Sequence, residues 1–154
     1  MKNFLLSIFL LGLICFSFHA AEAGGLSTTF SEVTLENLEI GKTYSTEEVV
    51  SLPLEVVNTG KQPINLKVEP VMPQESELKA GFEPIPDLSW IKLEKSEFSN
   101  IKPNESAVTD VVFSIPNKEK YIGKKYQAFI WSHTTGGAIG IGLKSKLLLV
   151  IKGE

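Results

Sequence analysis

Residues 123–132, Gly-Lys-Lys-Tyr-Gln-Ala-Phe-Ile-Trp-Ser, constrain the fold more than any other stretch of the chain. A glycine heads a run that places Tyr126, Ala128 and Ile130 on one parity and Phe129 and Trp131 on the other. Successive side chains of a strand point to opposite faces, so this run reads as a long strand. The glycine-rich segment Thr134-Thr135-Gly136-Gly137-Ala138-Ile139-Gly140-Ile141-Gly142 then reads as a hairpin loop, and residues 143–152 as the returning strand.

Upstream of this hairpin no segment shows a convincing helical period. Short stretches rich in Val, Ile, Leu, Phe and Thr alternate with turn clusters, which predicts strands over 28–38, 49–58, 63–71, 90–93, 97–98 and 107–115. On 49–58 the set Val50, Leu52, Leu54 and Val56 shares one face, while Pro53, which cannot donate to a ladder, marks an edge or a bulge. Residues 63–71 alternate most cleanly, with Ile64, Leu66 and Val68 predicted inward. Residues 72–88 carry Pro73, Pro84, Pro86 and Gly81 and no clear element; they read as a surface crossover between two sheets or as a functional loop. About seven or eight strands in a chain of this size predict an antiparallel Greek-key β-sandwich of the immunoglobulin type.

Residues 1–23 are expected to be removed. Lys2 supplies a positive start, residues 4–18 are almost wholly apolar, and Ala21-Glu22-Ala23 is a cleavage site of small residues, which predicts export and a mature domain over 24–154. The apolar run is too short for a membrane-spanning helix, and none is expected after cleavage. Cleavage also removes Cys15, the lone cysteine, so the expected mature domain is held by its core and not by disulfides.

The chain has 15 basic residues, all lysine, against 18 acidic ones, with the signs interspersed and a net charge of −3. That balance argues against a nucleic-acid partner, which needs a basic patch. Catalysis and metal binding are poorly supplied. His133 is the only histidine of the expected mature chain, and Asp87 and Asp110 are the only aspartates. A triad of Ser132 or Ser145 with His133 and Asp110 meets the objection that Ser132 and His133 alternate across a strand. The acidic pairs Glu47-Glu48 and Glu75-x-Glu77 read as solvated loop charges, and no cofactor is implied.

Several runs belong together: Asn-Thr-Gly-Lys-Gln-Pro-Ile-Asn-Leu-Lys-Val at 58–68, Trp90-Ile91-x-Leu93, Phe98, and the turn Pro103-Asn104-Glu105-Ser106. The series continues with Phe113-Ser114-Ile115-Pro116 and Gly123-x-x-Tyr126-x-Ala128-x-Ile130. In these runs the chain resembles a bacterial immunoglobulin-like domain of the group that includes the N-terminal half of PapD-type pilus chaperones. The resemblance spans nearly the whole expected mature chain and implies fold rather than role. It also implies that Tyr126 acts as a tyrosine corner, its hydroxyl bonded to nearby backbone.

One surface stands out. With Tyr126, Ala128 and Ile130 facing the core, the outer face of the last hairpin carries Phe129, Trp131, Leu148 and Val150 ringed by lysines. An outward apolar patch needs a cover. Residues 72–88 fold over it, a partner docks on it, or a bulge shifts the parity and makes it core. The last strand is read as an edge able to accept a strand from elsewhere. The resulting expectation is a non-catalytic exported module that binds another envelope or secreted protein through Phe129, Trp131, Leu148 and Val150 and through Gly136, Gly137 and Ile139 of the loop. A small periplasmic chaperone-like protein and an immunoglobulin-fold protease inhibitor are the alternatives.

Overall fold

A computed structural model describes residues 25–137 and 140–153; the expected leader and Ile139 lie outside the described residues. In chain order the elements are β1 (Leu26–Thr28), β2 (Glu32–Leu38), β3 (Thr43–Ser45), α1 (Thr46–Val50), β4 (Leu54–Asn58), β5 (Ile64–Val71) and β6 (Glu83–Pro84). They continue with β7 (Ile91–Leu93), β8 (Glu97–Ile101), β9 (Ser106–Thr109), β10 (Val111–Ser114), β11 (Lys125–Thr135) and β12 (Gly142–Ile151). One sheet is ordered β2-β12-β11-β5-β8, with β6 beside β11. The facing layer consists of β1-β4-β9 and β3-β10-β7, joined where β9 runs into β10 through Asp110. Between the layers lie Phe30, Leu35, Leu54, Leu66, Phe113, Ile130 and Leu147, all buried. This is the immunoglobulin-like sandwich expected from the sequence.

Three strand assignments change. The strand expected over 28–38 divides into β1 and β2, which belong to different sheets, with Phe30 buried at the crossing. The strand expected over 107–115 divides at Asp110, between the two halves of the facing layer. The strand expected over 49–58 begins only at Leu54, directly after Pro53; Val50 is on α1 and exposed, and Leu52 packs at the margin of the core. Local hydrogen bonding explains α1. Ser45 Oγ accepts from Glu48 N at 3.1 Å, and Ser51 takes a left-handed conformation at φ 53° to end it.

The sheet is also mixed, not purely antiparallel. β2 runs parallel to β12, and β6 runs parallel to β11. Because β2 and β11 flank β12 on its two sides, the last strand is interior, which corrects its expected place as an edge. Tyr126 does not make the expected corner. It closes an edge-to-face cluster with Trp90 and Tyr121, at centroid distances of 5.6 and 6.1 Å. The hydroxyl-to-backbone contact is made instead by Tyr44, which accepts from Glu39 N at 2.9 Å. Among the described residues, no helix is long and apolar enough to cross a membrane.

Asp110, at the junction of β9 and β10, fastens the start of β10 to the first turn of α1. Its Oδ1 accepts from Thr46 Oγ1 at 2.9 Å, Glu47 N at 3.0 Å and Val111 N at 2.9 Å. Burial by itself raises its pKa, but hydrogen bonds from the Ser45 hydroxyl, Glu47 N–H, Thr46 hydroxyl and Val111 N–H outweigh it and hold the carboxyl below its ordinary value. A carboxylate whose folded pKa is depressed contributes stability above its unfolded pKa of about 3.9 and loses it as pH falls through the folded value. Asp110→Asn is therefore expected to lower stability at neutral pH by about 1–3 kcal/mol and to make the acid limb below about pH 4 shallower. Urea unfolding across a pH series measures both.

Ser132 and Ser145 are fully buried on the core side of β11 and β12, and neither hydroxyl has a hydrogen-bond partner. An unmet buried hydroxyl costs free energy, so Ser132→Ala and Ser145→Ala are each expected to be neutral or to stabilise by up to about 1 kcal/mol. A loss above about 1 kcal/mol in either variant during denaturant titration would contradict this.

Candidate functional site

β11 is buried on both faces along its first half. Tyr126, Ala128 and Ile130 enter the inter-sheet core, whereas Gln127 and Phe129 are buried on the opposite side. Cross-strand pairing assembles that outer face. Gln127 lies opposite Leu148, Phe129 opposite Lys146 and Val71, Trp131 opposite Lys144 and Glu69, and His133 opposite Gly142 and Lys67. Leu148 and Phe129 are buried without belonging to the core cluster, so something other than the facing sheet covers them.

The cover is the crossover over residues 72–88, which acts as a strap. Gln127 holds it: Lys79 N donates to Oε1 at 2.8 Å, and Nε2 donates to Glu77 O at 2.9 Å. Ile85 N adds a bond to the backbone carbonyl of Gln127 at 2.9 Å, and Glu83–Pro84 pairs alongside Tyr126 and Gln127, beyond the end of the β5 pairing. The rim is charged. Lys144 Nζ is 2.9 Å from Glu77 Oε1 and 5.1 Å from the Phe129 ring centre; Lys79 and Lys146 meet Glu32; Lys124 meets Glu83. The Gln74 backbone N–H, followed by Lys144, holds the Glu77 carboxyl below its ordinary value, and Lys79 and then Lys146 do the same for Glu32.

The strap divides the residues expected to bind a partner. Phe129 and Leu148 are beneath it and closed to solvent, which matches the first of the three covers the sequence leaves open and removes these two from the accessible surface. Trp131 stays 36% exposed, and Val150 is half-buried opposite Lys125. Gly136 and Gly137 are exposed at the hairpin tip with φ of 78° and 92°, as a tight turn requires. They border a cleft of about 440 Å³ lined by Asn65, Asn100, Thr134 and Ile141. Ile139 lies outside the described residues.

Around Trp131 the arrangement is ordered by contacts that the sequence reading missed. The indole stacks on the His133 ring, with centroids 4.0 Å apart and planes 25° from parallel. His133 Nε2 is 3.1 Å from Glu69 Oε1, and Lys67 Nζ is 2.7 Å from Glu69 Oε2. Lys67, and then His133, hold the Glu69 carboxyl below its ordinary value. Gly142 makes room for the stack, since a Cβ there would lie 2.7 Å from Trp131 Nε1 and 3.2 Å from His133 Cβ. The one available signal was parity: Gln127 and His133 share the face of Phe129 and Trp131, so polar groups were aimed at whatever crosses that face.

Ser132 and His133 lie on opposite faces of β11, and Asp110 is engaged with α1 in the other layer, so these three do not form a triad. Among the described residues, no group of three or more His, Cys, Asp or Glu side chains is placed to hold a metal ion.

Neither a protein-family model nor a curated protein matches the chain. Solved structures match its fold. The ASH/PapD-like domain 7 of human CEP192 gives a TM-score of 0.55 at 13% identity, covering 84% of this chain and 86% of that one. The periplasmic chaperone SfaE gives 0.51 at 13% identity, covering 84% and 59%, so this chain spans little more than half of that protein. A family 123 glycoside hydrolase from Clostridium perfringens gives 0.56 at 10% identity, covering 86% and 27%. At these identities the likeness is one of fold, and the fold is PapD-like.

The two tryptophans differ in access, Trp90 at 6% and Trp131 at 36%. Acrylamide quenching is expected to resolve one shielded and one accessible emitter. Gly142→Ala is expected to displace the indole, change quenching of the accessible component and leave the shielded one unaltered. An unchanged accessible component would show that the stack does not depend on Gly142.

Proposed function

We propose that this chain is a non-catalytic, exported protein-binding module that meets its partner at Trp131 on the outer face of β11. Trp131 carries the reading. A large aromatic side chain stands partly open in the middle of a sheet face, held flat by His133 and Gly142 and bordered by Glu69 and Lys144. Tryptophan is among the residues that most often dominate binding energy at interfaces, and one that is pre-positioned loses little side-chain entropy on binding. Export is supported by Lys2, the apolar residues 4–18 and Ala21-Glu22-Ala23. The fold shared with the periplasmic chaperone SfaE favours a chaperone-like variant, in which the partner is an exported client held during assembly.

The test is in-cell photo-crosslinking from position 131, followed by mass spectrometry of the adducts. One recurrent exported protein is the expected result, and Trp131→Ser is expected to lose that protein in pull-down while costing about 1–2 kcal/mol of stability. Adducts confined to the chain itself, or a Trp131→Ser variant that binds undiminished, would sink the reading.

A further inference from the structure

We infer that the outer face beneath the strap is a peptide-binding groove, filled in this structure by the chain's own residues 74–82 and open by exchange to a short acidic–apolar segment of a partner that makes the same turn. The inference rests on the protein-binding reading above and names a second contact for it, beside Trp131.

The Gln127 carboxamide is the first observation. It is fully buried on a strand, and both its halves are spent on main chain: the carbonyl on Lys79 N–H and the amino group on Glu77 C=O. The amide spans the one extended step of the segment, Leu78 at φ −70° and ψ 134°, directly after the 3-10 turn Glu75–Glu77, and reads its backbone whatever the side chains. If the site needed only filling, an apolar residue would serve without a polar group to satisfy.

The floor and rim supply selectivity. Phe129 and Leu148 offer apolar surface outside the core. Lys144 sits between the Phe129 ring and the Glu77 carboxylate, so the residue whose carbonyl is read also places an acid against a lysine. A fitting segment therefore carries Glu or Asp at that position and an apolar residue next to it, as Glu77-Leu78 does.

The occupant is held lightly between firm ends. Pro73 is buried before it and Ile85 is in the core after it, whereas every side chain from 74 to 82 is exposed or half-buried. Its further ties to the rest of the molecule are surface ion pairs, which contribute little to stability, and Gly81 at φ 84° turns the chain near its end. Segments of this kind open locally without global unfolding.

The experiment adds a doubly capped peptide of residues 73–83 to the ¹⁵N-labelled mature protein, as wild type and as Glu77→Lys. The substitution sets a lysine against Lys144, removes the bond from Gln74 N–H to the Glu77 carboxylate, and so weakens the internal occupant while leaving Gln127, Phe129 and Leu148 intact. The peptide is expected to bind the variant at least tenfold more tightly than wild type, with shifts centred on the Gln127 side-chain amide, Phe129 and Leu148. A scrambled peptide is expected to produce none. In wild type, the Lys79 amide is expected to exchange with solvent at least 100-fold faster than amides at the centre of β11. If Lys79 exchanges only with global unfolding, the inference is overturned, whether or not the variant folds. Equal peptide affinity for both proteins overturns it as well. Trp131 lies beside the strap, so crosslinking from it does not depend on opening, and the two readings fail separately.

Discussion

The carboxamide of Gln127 has no access to water, and much of one side of the molecule follows from that. A buried amide must be satisfied, because an unmet donor or acceptor in an apolar setting costs more than most surface contacts return. The groups that satisfy it are the backbone N–H of Lys79 and the carbonyl of Glu77. This pins a proline-rich segment with almost no regular structure to one path across β11. Along that path Phe129 and Leu148 are sealed, Glu83–Pro84 reaches the part of β11 that β5 leaves open, and Lys144 and Lys79 come within reach of carboxylates. The ion pairs are exposed and weak, so they follow from the path and do not set it.

A second constraint is that the chain changes sheets where its strands would otherwise be long. It crosses between β1 and β2, between β7 and β8, and at Asp110 between β9 and β10. At each crossing the backbone leaves one ladder, and its groups need other partners. Phe30 fills the first crossing with an apolar side chain, while Asp110 gathers the donors exposed at the third. The crossings also decide which strands are edges. Once β2 has moved into the larger sheet it lies along β12, so the last strand of the chain is interior.

The sequence made legible what repeats with period two. The clean alternation of Ile64, Leu66 and Val68 appears in β5, and the hairpin of β11 and β12 lies where its glycines announce it. What it hid are the places where a strand changes partner without changing its pattern. Residues 107–115 keep alternating through Asp110, so nothing in the pattern marks the switch there. In α1, Val49 and Val50 read as strand residues, and a turn of helix capped by Ser45 and Ser51 takes them instead, with Pro53 standing just before β4 begins. Tyr44, not Tyr126, makes the hydroxyl-to-backbone contact for a similar reason: which hydroxyl meets a backbone amide depends on the turn folded beside it, and that is a tertiary fact.

Phe129 and Trp131 show where a functional argument has to start. They share a strand, a parity and a chemical character, so no periodicity separates them, yet the strap covers one and stops short of the other. The glycine that matters to Trp131 also carries a different meaning from its neighbours. Gly136 and Gly137 serve the turn through positive φ, whereas Gly142 opens β12 and serves by lacking a side chain where an indole and an imidazole lie across it. The same sandwich underlies a domain of CEP192, a periplasmic chaperone and part of a glycoside hydrolase, so the fold by itself selects none of their roles. What individualises this chain is laid over the fold: a strap read through its backbone by one glutamine, and a tryptophan left open beside it.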